Sequence, residues 1–321
     1  MAISYDGTLK EHAYVRNDSG FFDVSHMGRL HIDNNHIDIL NKLVCGNILK
    51  NESNTALYTM ILNHDGGVID DVIIWKFDTY LILICNASNT KKVIDWFNKH
   101  ELETTYMNNE TSLLAIQGPN VIDKLTNDIP IPEKFECLVS KNKLFNDEII
   151  IARTGYTGED GLEIMIKHND DIKLIDLLDE IMIPPCGLGS RDTLRLEASL
   201  PLYGQELSEN ISPVELGFKW VINFDHEFNG KDKLLQQVEN GQHKYIKRFV
   251  IDERIVARHG DKVTSGNVNG VVTSGNYSPI LGKSIGFALF ESKPKSDSIK
   301  LTIRDKLVDG KLIKGRFLGK Q

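Results

Sequence analysis

The sequence predicts an α+β protein that ends in a small all-β domain, expected to be a barrel. Two observations predict this class. Up to about residue 240, β-branched and aromatic runs alternate with segments of helical apolar spacing. Beyond about residue 245, short β-like runs are separated by Gly, Asn and Ser turns, and they lie at 247–251, 270–274, 284–290 and 298–303.

The first part of the chain mixes the two kinds of element. Residues 1–20 carry little pattern, and residues 21–32 are typical of a strand pair or of a turn into a strand. Helical spacing predicts helices at 35–44, from a cap at Asn89 through 97, and at 170–181 and 231–238. Another helix is predicted after the breaker at 117–119 and ends at 125, and a short one at 191–199 has Ser190 as its N-cap. Apolar β-branched runs predict strands at 72–75, 79–85, 111–116, 147–153 and 163–167.

Composition excludes several classes of protein. The chain has 321 residues, 41% of them hydrophobic and 26% charged, which is ordinary for a globular protein of two or three domains. The net charge of −8 argues against nucleic acid as a partner. It is compatible with a small anionic ligand, because local positive charge can occur in an acidic protein. No apolar run approaches the length of a membrane span and no targeting signal is visible, so we expect a cytoplasmic protein without a membrane partner.

The cysteines and histidines do not predict a metal site. The four cysteines are far apart and form no Cys-x-x-Cys pair, so we expect reduced, mostly buried thiols. The ten histidines are scattered, and no His-Glu-x-x-His pattern occurs.

Residues 63–75 contain the first candidate site. Asp-Gly-Gly at 65–67 is typical of a tight turn, and the apolar run that follows is typical of a strand entering a core. Asp70 and Asp71 therefore lie where that strand begins. Neighbours in a strand face opposite sides, so one carboxylate should point toward water and the other toward an interior or a cleft. Taken alone, the segment also fits a turn with two surface aspartates.

Asp23, Ser25 and His26 do not predict a catalytic triad. Three such residues within four positions cannot easily act as nucleophile, base and orienting group, since triads are defined by geometry. We expect His26 to be a hydrogen-bonded histidine of the core or of a cavity rim.

Two glycine-rich segments are candidates for binding loops. Gly155, Gly158 and Gly161 lack dinucleotide spacing, and the acidic residues between them would repel a pyrophosphate, which favours a long hairpin connection. Residues 186–192 run into a helix start that could receive an anion, with Arg191 and Arg195 on one helix face. The alternative is a helix start with solvated arginines.

Glu163 is an unusual carboxylate because it interrupts an apolar strand pattern. Burying its carboxylate costs several kcal/mol unless hydrogen-bond donors are supplied, because a charged group loses its hydration. Even a neutral polar group costs ~2–7 kcal/mol when it is buried without a hydrogen bond. A carboxylate accepts two parallel N–H donors well, and both arginine and the amino-pyrimidinone edge of a pterin or guanine offer them. A strand-end glutamate facing water is the alternative.

Seven segments, collinear along the chain, closely resemble the aminomethyltransferase (T-protein) family of the glycine cleavage system. They are Phe-Asp-Val-Ser-His-Met-Gly at 22–28, Gly-Gly-Val-Ile-Asp-Asp at 66–71, Ala-Ile-Gln-Gly-Pro at 115–119, Arg-Thr-Gly-Tyr-Thr-Gly-Glu-Asp-Gly-Leu-Glu at 153–163, Gly-Leu-Gly-Ser-Arg-Asp at 187–192 with Arg-Leu-Glu-Ala at 195–198, Leu-Tyr-Gly-Gln at 202–205, and Thr-Ser-Gly-Asn-Tyr-Ser-Pro at 273–279.

The resemblance implies a three-domain cloverleaf around a central folate channel. The implied domains are a first α/β domain at 1–117, discontinuous with part of the middle region, a second α/β domain at 118–240 and the barrel at 245–321. The implied partners are tetrahydrofolate and a lipoylated H-protein, with a monomer or weak dimer expected. By motif position, Asp71 would be the catalytic carboxylate. Folate would contact Met27, Tyr58, Asn86, Tyr156, Glu163 and Arg191, with Glu163 gripping the pterin edge.

Two other functions stay open from the sequence. A folate-dependent demethylase of a small methylated compound shares the implied fold. A non-catalytic folate-binding accessory protein is the other alternative, but relatives of that kind carry a Lys-Gly-Cys-aromatic-x-Gly-Gln-Glu motif. The corresponding segment here, Pro-Leu-Tyr-Gly-Gln-Glu at 201–206, has neither the Lys nor the Cys, which argues against the accessory class.

Overall fold

The computed structural model describes residues 2–319. Their α-helices are α1 (Thr8–Asn17), α2 (Ile37–Leu43), α3 (Thr90–Lys99), α4 (Val121–Leu125), α5 (Asp171–Glu180), α6 (Leu188–Glu197) and α7 (Lys231–Asn240). Their strands are β1 (Gly20–Asp23), β2 (Gly28–Asp33), β3 (Thr55–Leu62), β4 (Val68–Lys76), β5 (Tyr80–Cys85), β6 (Thr105–Tyr106), β7 (Thr111–Gln117), β8 (Cys137–Ser140), β9 (Ile149–Ala152), β10 (Gly161–Lys167), β11 (Tyr245–Ile251), β12 (Lys262–Ser265), β13 (Val268–Ser278), β14 (Lys283–Phe290), β15 (Ser298–Ile303) and β16 (Lys306–Ile313).

Two five-stranded sheets form the larger part of the molecule. Sheet I has the strand order β3-β4-β5-β2-β6, and sheet II has the order β1-β7-β10-β9-β8. The chain leaves sheet II after β1, builds sheet I, and returns at β7, which pairs antiparallel with β1. The two sheets pack against each other through a shared apolar core that includes Trp75 and Ile82 of sheet I and Leu113 and Met165 of sheet II. Side chains at the margin of this contact can therefore come from both sheets.

The C-terminal strands close into a barrel of order β11-β14-β13-β12-β15-β16, which confirms the predicted barrel. Burial alternates along β15, as expected when one face of a strand points to the barrel interior. Phe249, Phe290 and Leu301 belong to that interior. Strands β12 and β16 were not predicted, because they are short or carry a polar, glycine-containing sequence.

Helix α1 was not predicted, because its buried face is polar. Glu11, His12 and Arg16 are buried along this helix beside a single buried apolar residue, Val15. A helix of this kind shows no apolar stripe at helical spacing. It packs on α6, where the Glu11 carboxylate accepts hydrogen bonds from the backbone of Gly187 at 2.8 Å and the hydroxyl of Ser190 at 3.2 Å.

Several local predictions are confirmed, and two predictions of helix caps are wrong. The strands predicted at 79–85 and 111–116 and the helices predicted at 170–181 and 231–238 are present, and the four cysteines are free and buried. Ser190 is not an N-cap, because α6 starts earlier and Gly187 holds that position. Asn89 makes no capping hydrogen bond. Of the two interpretations of residues 21–32, the turn into a strand is confirmed and the strand pair is not, since β1 lies in sheet II and β2 in sheet I.

We propose that sheet I, sheet II and the barrel are each the centre of one domain. The boundaries at 1–117, 118–240 and 245–321 stay a prediction, and residues 1, 320 and 321 of those ranges lie outside the described residues. No helix formed by residues 2–319 has the length and apolar character needed to cross a membrane.

Candidate functional site

A cavity of about 410 Å³ lies where sheets I and II meet α6 and the segment after it. This volume is within the range of small-molecule sites (~300–1,000 Å³). All seven residues singled out from the sequence line it, namely Met27, Tyr58, Asp71, Asn86, Tyr156, Glu163 and Arg191. The rest of its wall is formed by His26, Val72, Ile73, Ile84, Ala87, Gly155, Leu188, Asp192, Arg195, Leu202 and Tyr203. Among the residues the structure describes, no three His, Cys, Asp or Glu side chains are grouped to hold a metal ion.

Asp71 presents its carboxylate to the cavity from β4. The Tyr58 hydroxyl donates to Oδ2 at 3.1 Å, and the Asn86 side chain donates to Oδ1 at 2.8 Å. Tyr58 reaches it because it lies on the neighbouring strand β3, two positions from the residue paired with Asp71. Burial raises the pKa of Asp71, although the hydrogen bonds from Asn86 and Tyr58 and the charge of Arg191 oppose the shift. The site therefore contains a fixed carboxylate that holds its proton more tightly than an ordinary aspartate.

The turn before β4 requires both of its glycines. Gly66 has a φ of 81°, in the left-handed region that favours glycine. A Cβ on Gly67 would lie 1.8 Å from the carbonyl oxygen of Glu209, which is a steric clash with backbone. The glycine pair thus lets the turn pack against the backbone at Glu209, and it fixes where β4 begins.

The surface prediction for Asp70 is wrong. Its side chain is fully buried, and the carboxylate accepts hydrogen bonds from Asn86 and Asn89. Asp71 is the member of the pair that reaches the cavity, as the alternation of a strand requires. The side-chain amide nitrogen of Asn89 thus donates to Asp70, and its side chain makes no capping hydrogen bond to α3.

Glu163 lines the same cavity from β10. It is 7% exposed, and the Thr154 hydroxyl donates to Oε2 at 2.5 Å. No residue in the range 2–319 donates to Oε1. Burial raises the pKa of Glu163, while the hydrogen bond from Thr154 and the charge of Arg191 act in the other direction. The carboxylate is buried yet keeps an open acceptor, so a ligand with N–H donors can complete its hydrogen bonding.

Arg191 brings a positive charge into the cavity from α6. Its guanidinium lies 4.6 Å from the ring centroid of Tyr156 and 3.7 Å from the sulfur of Met27. Within residues 2–319 it forms no ion pair. Burial lowers the pKa of Arg191, and nearby Tyr156, Glu163 and Asp71 oppose that change. An unpaired guanidinium in a cavity is suited to an anionic group of a ligand.

Arg195 has a structural role instead. It pairs with Asp192 at 2.8 Å and Glu206 at 3.1 Å, and it donates to Ser274 of the barrel at 3.0 Å. The alternative of solvated arginines at this helix start is wrong for both residues, because Arg191 enters the cavity and Arg195 is buried.

The segment at 23–26 is a local turn and not a triad, as expected. The Ser25 backbone N–H donates to Asp23 at 2.9 Å, and the Ser25 hydroxyl accepts from the Leu113 backbone at 2.9 Å. His26 lies at the cavity rim, where burial and the nearby charge of Arg191 lower its pKa. The 153–160 segment joins β9 and β10 as the predicted hairpin connection.

Tyr203 is a cavity residue that the sequence did not single out. Its hydroxyl accepts from Lys92 of α3 at 2.6 Å, and Lys92 also pairs with Glu209 at 3.0 Å. The available signal was its place in the Leu-Tyr-Gly-Gln segment, but no chemistry in that segment pointed to a cavity.

Two family models cover nearly the whole chain. Residues 1–226 match the model described as the GCVT N-terminal domain, and residues 244–318 match the glycine cleavage T-protein C-terminal barrel domain. The chain belongs to the aminomethyltransferase family of the glycine cleavage system. It is therefore an enzyme of the transferase class, and the resemblance noted in the sequence is confirmed.

Relatives extend this match to full length. An aminomethyltransferase of Thermoanaerobacter sp. (strain X514) is 39% identical over 337 residues, covering 100% of this chain and 92% of the relative. An aminomethyltransferase of Bacillus subtilis (strain 168) is 36% identical over 335 residues, covering 99% and 92%. The crystal structure of the glycine cleavage system aminomethyltransferase T from Bartonella henselae superposes with a TM-score of 0.91 at 25% identity, covering 99% of this chain and 91% of that one. The fold class predicted for this aminomethyltransferase chain is confirmed.

Proposed function

We propose that this chain takes the aminomethyl group from the lipoyl arm of an H-protein, transfers its methylene carbon to tetrahydrofolate, and releases ammonia. The observation that carries the proposal is one cavity in which Asp71, Glu163 and Arg191 converge from sheet I, sheet II and α6. Each of the three has a distinct electrostatic task in such a reaction.

The residues present fit tetrahydrofolate. The buried Glu163 carboxylate, with no donor on Oε1, matches the two parallel N–H donors of a pterin amino-pyrimidinone edge. The unpaired Arg191 suits a folate carboxylate, and Met27, Tyr58 and Tyr156 supply apolar or aromatic contact area. Tetrahydrofolate would supply the amine that accepts the one-carbon unit.

Asp71 supplies negative charge where positive charge develops as ammonia leaves the aminomethyl carbon. Tyr58 and Asn86 hold its two oxygens, so no reorganisation is needed when the charge appears. The apolar walls at Val72, Ile73 and Ile84 exclude water, which would otherwise trap the electron-deficient carbon as formaldehyde.

A reconstituted reaction tests the proposal. The protein is mixed with tetrahydrofolate, lipoylated H-protein and the other glycine cleavage components, and methylenetetrahydrofolate is followed with time. We expect its formation to depend on all components. Absence of this product, together with turnover of a methylated sulfonium, would assign the chain to the demethylase alternative. Folate binding with no turnover of either kind would assign it to the accessory class.

Replacing Glu163 with Ala is expected to weaken tetrahydrofolate binding by about 10- to 100-fold, with a smaller effect on the rate of transfer. The reason is that hydrogen bonds to a buried carboxylate contribute about 1.5–3 kcal/mol. Calorimetric titration measures the affinity, and transfer at saturating folate measures the rate. The control is Glu148→Ala, which removes an exposed carboxylate outside this cavity. Equal affinity in Glu163→Ala and the unmodified protein would remove Glu163 from the binding site.

A further inference from the structure

The carboxylate of Asp70 lies behind the cavity wall and does not reach the cavity. It is fully buried, and its three donors come from the turn after β5. Oδ2 accepts from the backbone N–H of Asn86 at 2.9 Å. Oδ1 accepts from the side-chain amides of Asn86 at 2.8 Å and Asn89 at 2.6 Å. A buried carboxylate is stable only with such partners, so the 86–89 turn is fastened to the start of β4 through Asp70.

Asn86 connects this buried carboxylate to the one in the cavity. Its Nδ2 atom lies 2.8 Å from Oδ1 of Asp70 and 2.8 Å from Oδ1 of Asp71. A carboxamide nitrogen carries two hydrogens, so each carboxylate takes one of them. An ionised carboxylate only accepts, which means that Asp70 decides which end of the Asn86 amide faces the pair. Without it, the amide oxygen could turn toward Asp71 and repel it.

We infer that Asp70 is a positioning residue whose carboxylate holds the Asn86 amide nitrogen on Asp71, an inference that rests on the proposed function of Asp71 in transfer. The geometry shows two adjacent carboxylates joined through a single nitrogen atom. Asp70 touches neither substrate nor cavity and acts only through Asn86 and through its charge.

The charge of Asp70 has a second effect on its neighbour. Burial raises the pKa of both carboxyls, that of Asp70 to about 7 with the charge of Asp71 adding to the effect, so the pair takes up one proton near neutral pH. The two carboxyls titrate as a coupled pair, so the charge state of Asp70 influences the ionisation of Asp71.

Other titratable groups surround the pair, and one of them carries a positive charge into the cavity. Arg191 of α6 opposes protonation of Asp71. The remaining groups are neutral at physiological pH because burial raises the pKa of each, and they are Tyr58 on β3, Cys85 on β5, Tyr156 in the β9–β10 connection and Tyr203 after α6. The Lys92 ammonium group of α3 donates to the Tyr203 hydroxyl at 2.6 Å. Asp70 is thus the only carboxylate of residues 2–319 that shares a hydrogen-bond donor with Asp71.

Asp70→Asn tests the inference through the pH dependence of transfer. Asp71 must be ionised to act, and it loses a neighbouring like charge in this variant. The acid limb of the kcat/KM profile is therefore expected to move to lower pH by about one pH unit. The plateau value of kcat is expected to fall about tenfold because the Asn86 amide is no longer held, with a smaller change in KM for tetrahydrofolate.

Asn89→Ala provides a second variant with the opposite sign. It removes the side-chain donor at 2.6 Å from Asp70, and that side chain is not part of the cavity wall, so the pair binds its proton more tightly. The acid limb is expected to move to higher pH. Asp65→Asn is the matched control, since it removes an exposed carboxylate from the same turn and should leave the limb in place. Asn89→Ala also tests the positioning role of Asp70 if Asp70→Asn fails to fold.

A carboxyl-carbon NMR titration separates this inference from the proposed function. Unmodified protein without substrate should show a carboxyl titrating near pH 7, and Asp70→Asn should remove that transition or move it to lower pH. Protein that shows this behaviour but forms no methylenetetrahydrofolate would refute the transfer reaction and support the positioning of Asp71 by Asp70. An acid limb and a carboxyl titration that neither Asp70→Asn nor Asn89→Ala moves would overturn the inference, even if both variants lose thermal stability.

Discussion

Replacing Asp71 with Asn is expected to lower the rate of methylene transfer by about two to four orders of magnitude while tetrahydrofolate still binds. The carboxamide is neutral and so cannot balance the positive charge that develops at the reacting carbon. It also has one acceptor oxygen where the carboxylate offers two, so the hydrogen bonds donated by Tyr58 and Asn86 cannot both be kept in their present direction. Single-turnover formation of methylenetetrahydrofolate measures the rate, and calorimetry measures binding.

The Asp65→Asn variant serves as the control, because Asp65 is exposed on the same turn and carries the same charge. Loss of folate binding in Asp71→Asn would make Asp71 a binding residue. A rate equal to that of the control would exclude Asp71 from the mechanism.

Replacing Glu197 with Ala is expected to destabilise the fold by about 3–5 kcal/mol, the usual cost of breaking a buried ion pair. Glu197 is fully buried at the end of α6. Arg16 of α1 donates to it at 3.0 Å, His12 Nε2 lies 3.0 Å away, and Ser278 of the barrel donates to its other oxygen. Burial opposes its ionisation, but these partners hold the pKa of Glu197 below its ordinary value.

Urea denaturation measures this effect as a lower midpoint. The matched control is Asp225→Ala, which breaks the exposed pair with Lys50 at 2.8 Å and should leave the midpoint unchanged. A Glu197→Ala midpoint equal to that of the control would mean that the hydrogen bonds and ion pairs of Glu197 do not stabilise the contact between α1, α6 and the barrel.

The sequence predicts elements well where burial is apolar and periodic. β5 and β7 were predicted because each is a run of buried apolar residues between breakers. α1 was missed for the opposite reason, since its contacts with α6 are made by Glu11, His12 and Arg16. A polar buried face needs partners from elsewhere in the chain, and such partners leave no local pattern.

The same limit applies to the site. Glu163 was recognisable because a carboxylate interrupts an apolar strand, and Asp71 and Arg191 were candidates from a strand start and a helix start. The other predicted cavity residues, Met27, Tyr58, Asn86 and Tyr156, came from family resemblance. Asp70 was misjudged because its burial depends on Asn86 and Asn89, which lie 16 and 19 residues away. Aspartates at a turn are usually solvated, and only tertiary contacts show that this one is not.

The barrel determines when the cavity wall can be completed during synthesis. Ser274 and Ser278 of β13 bind α6 through Arg195 and Glu197, and the backbone N–H of Phe317 donates to Ser199 at 2.9 Å. The ribosome makes these anchors after the helix they hold. A nascent chain therefore carries all the cavity-lining residues before the barrel contacts of α6 can form. Catalytic competence is expected to appear only once the barrel strands that hold α6 have been made and have folded.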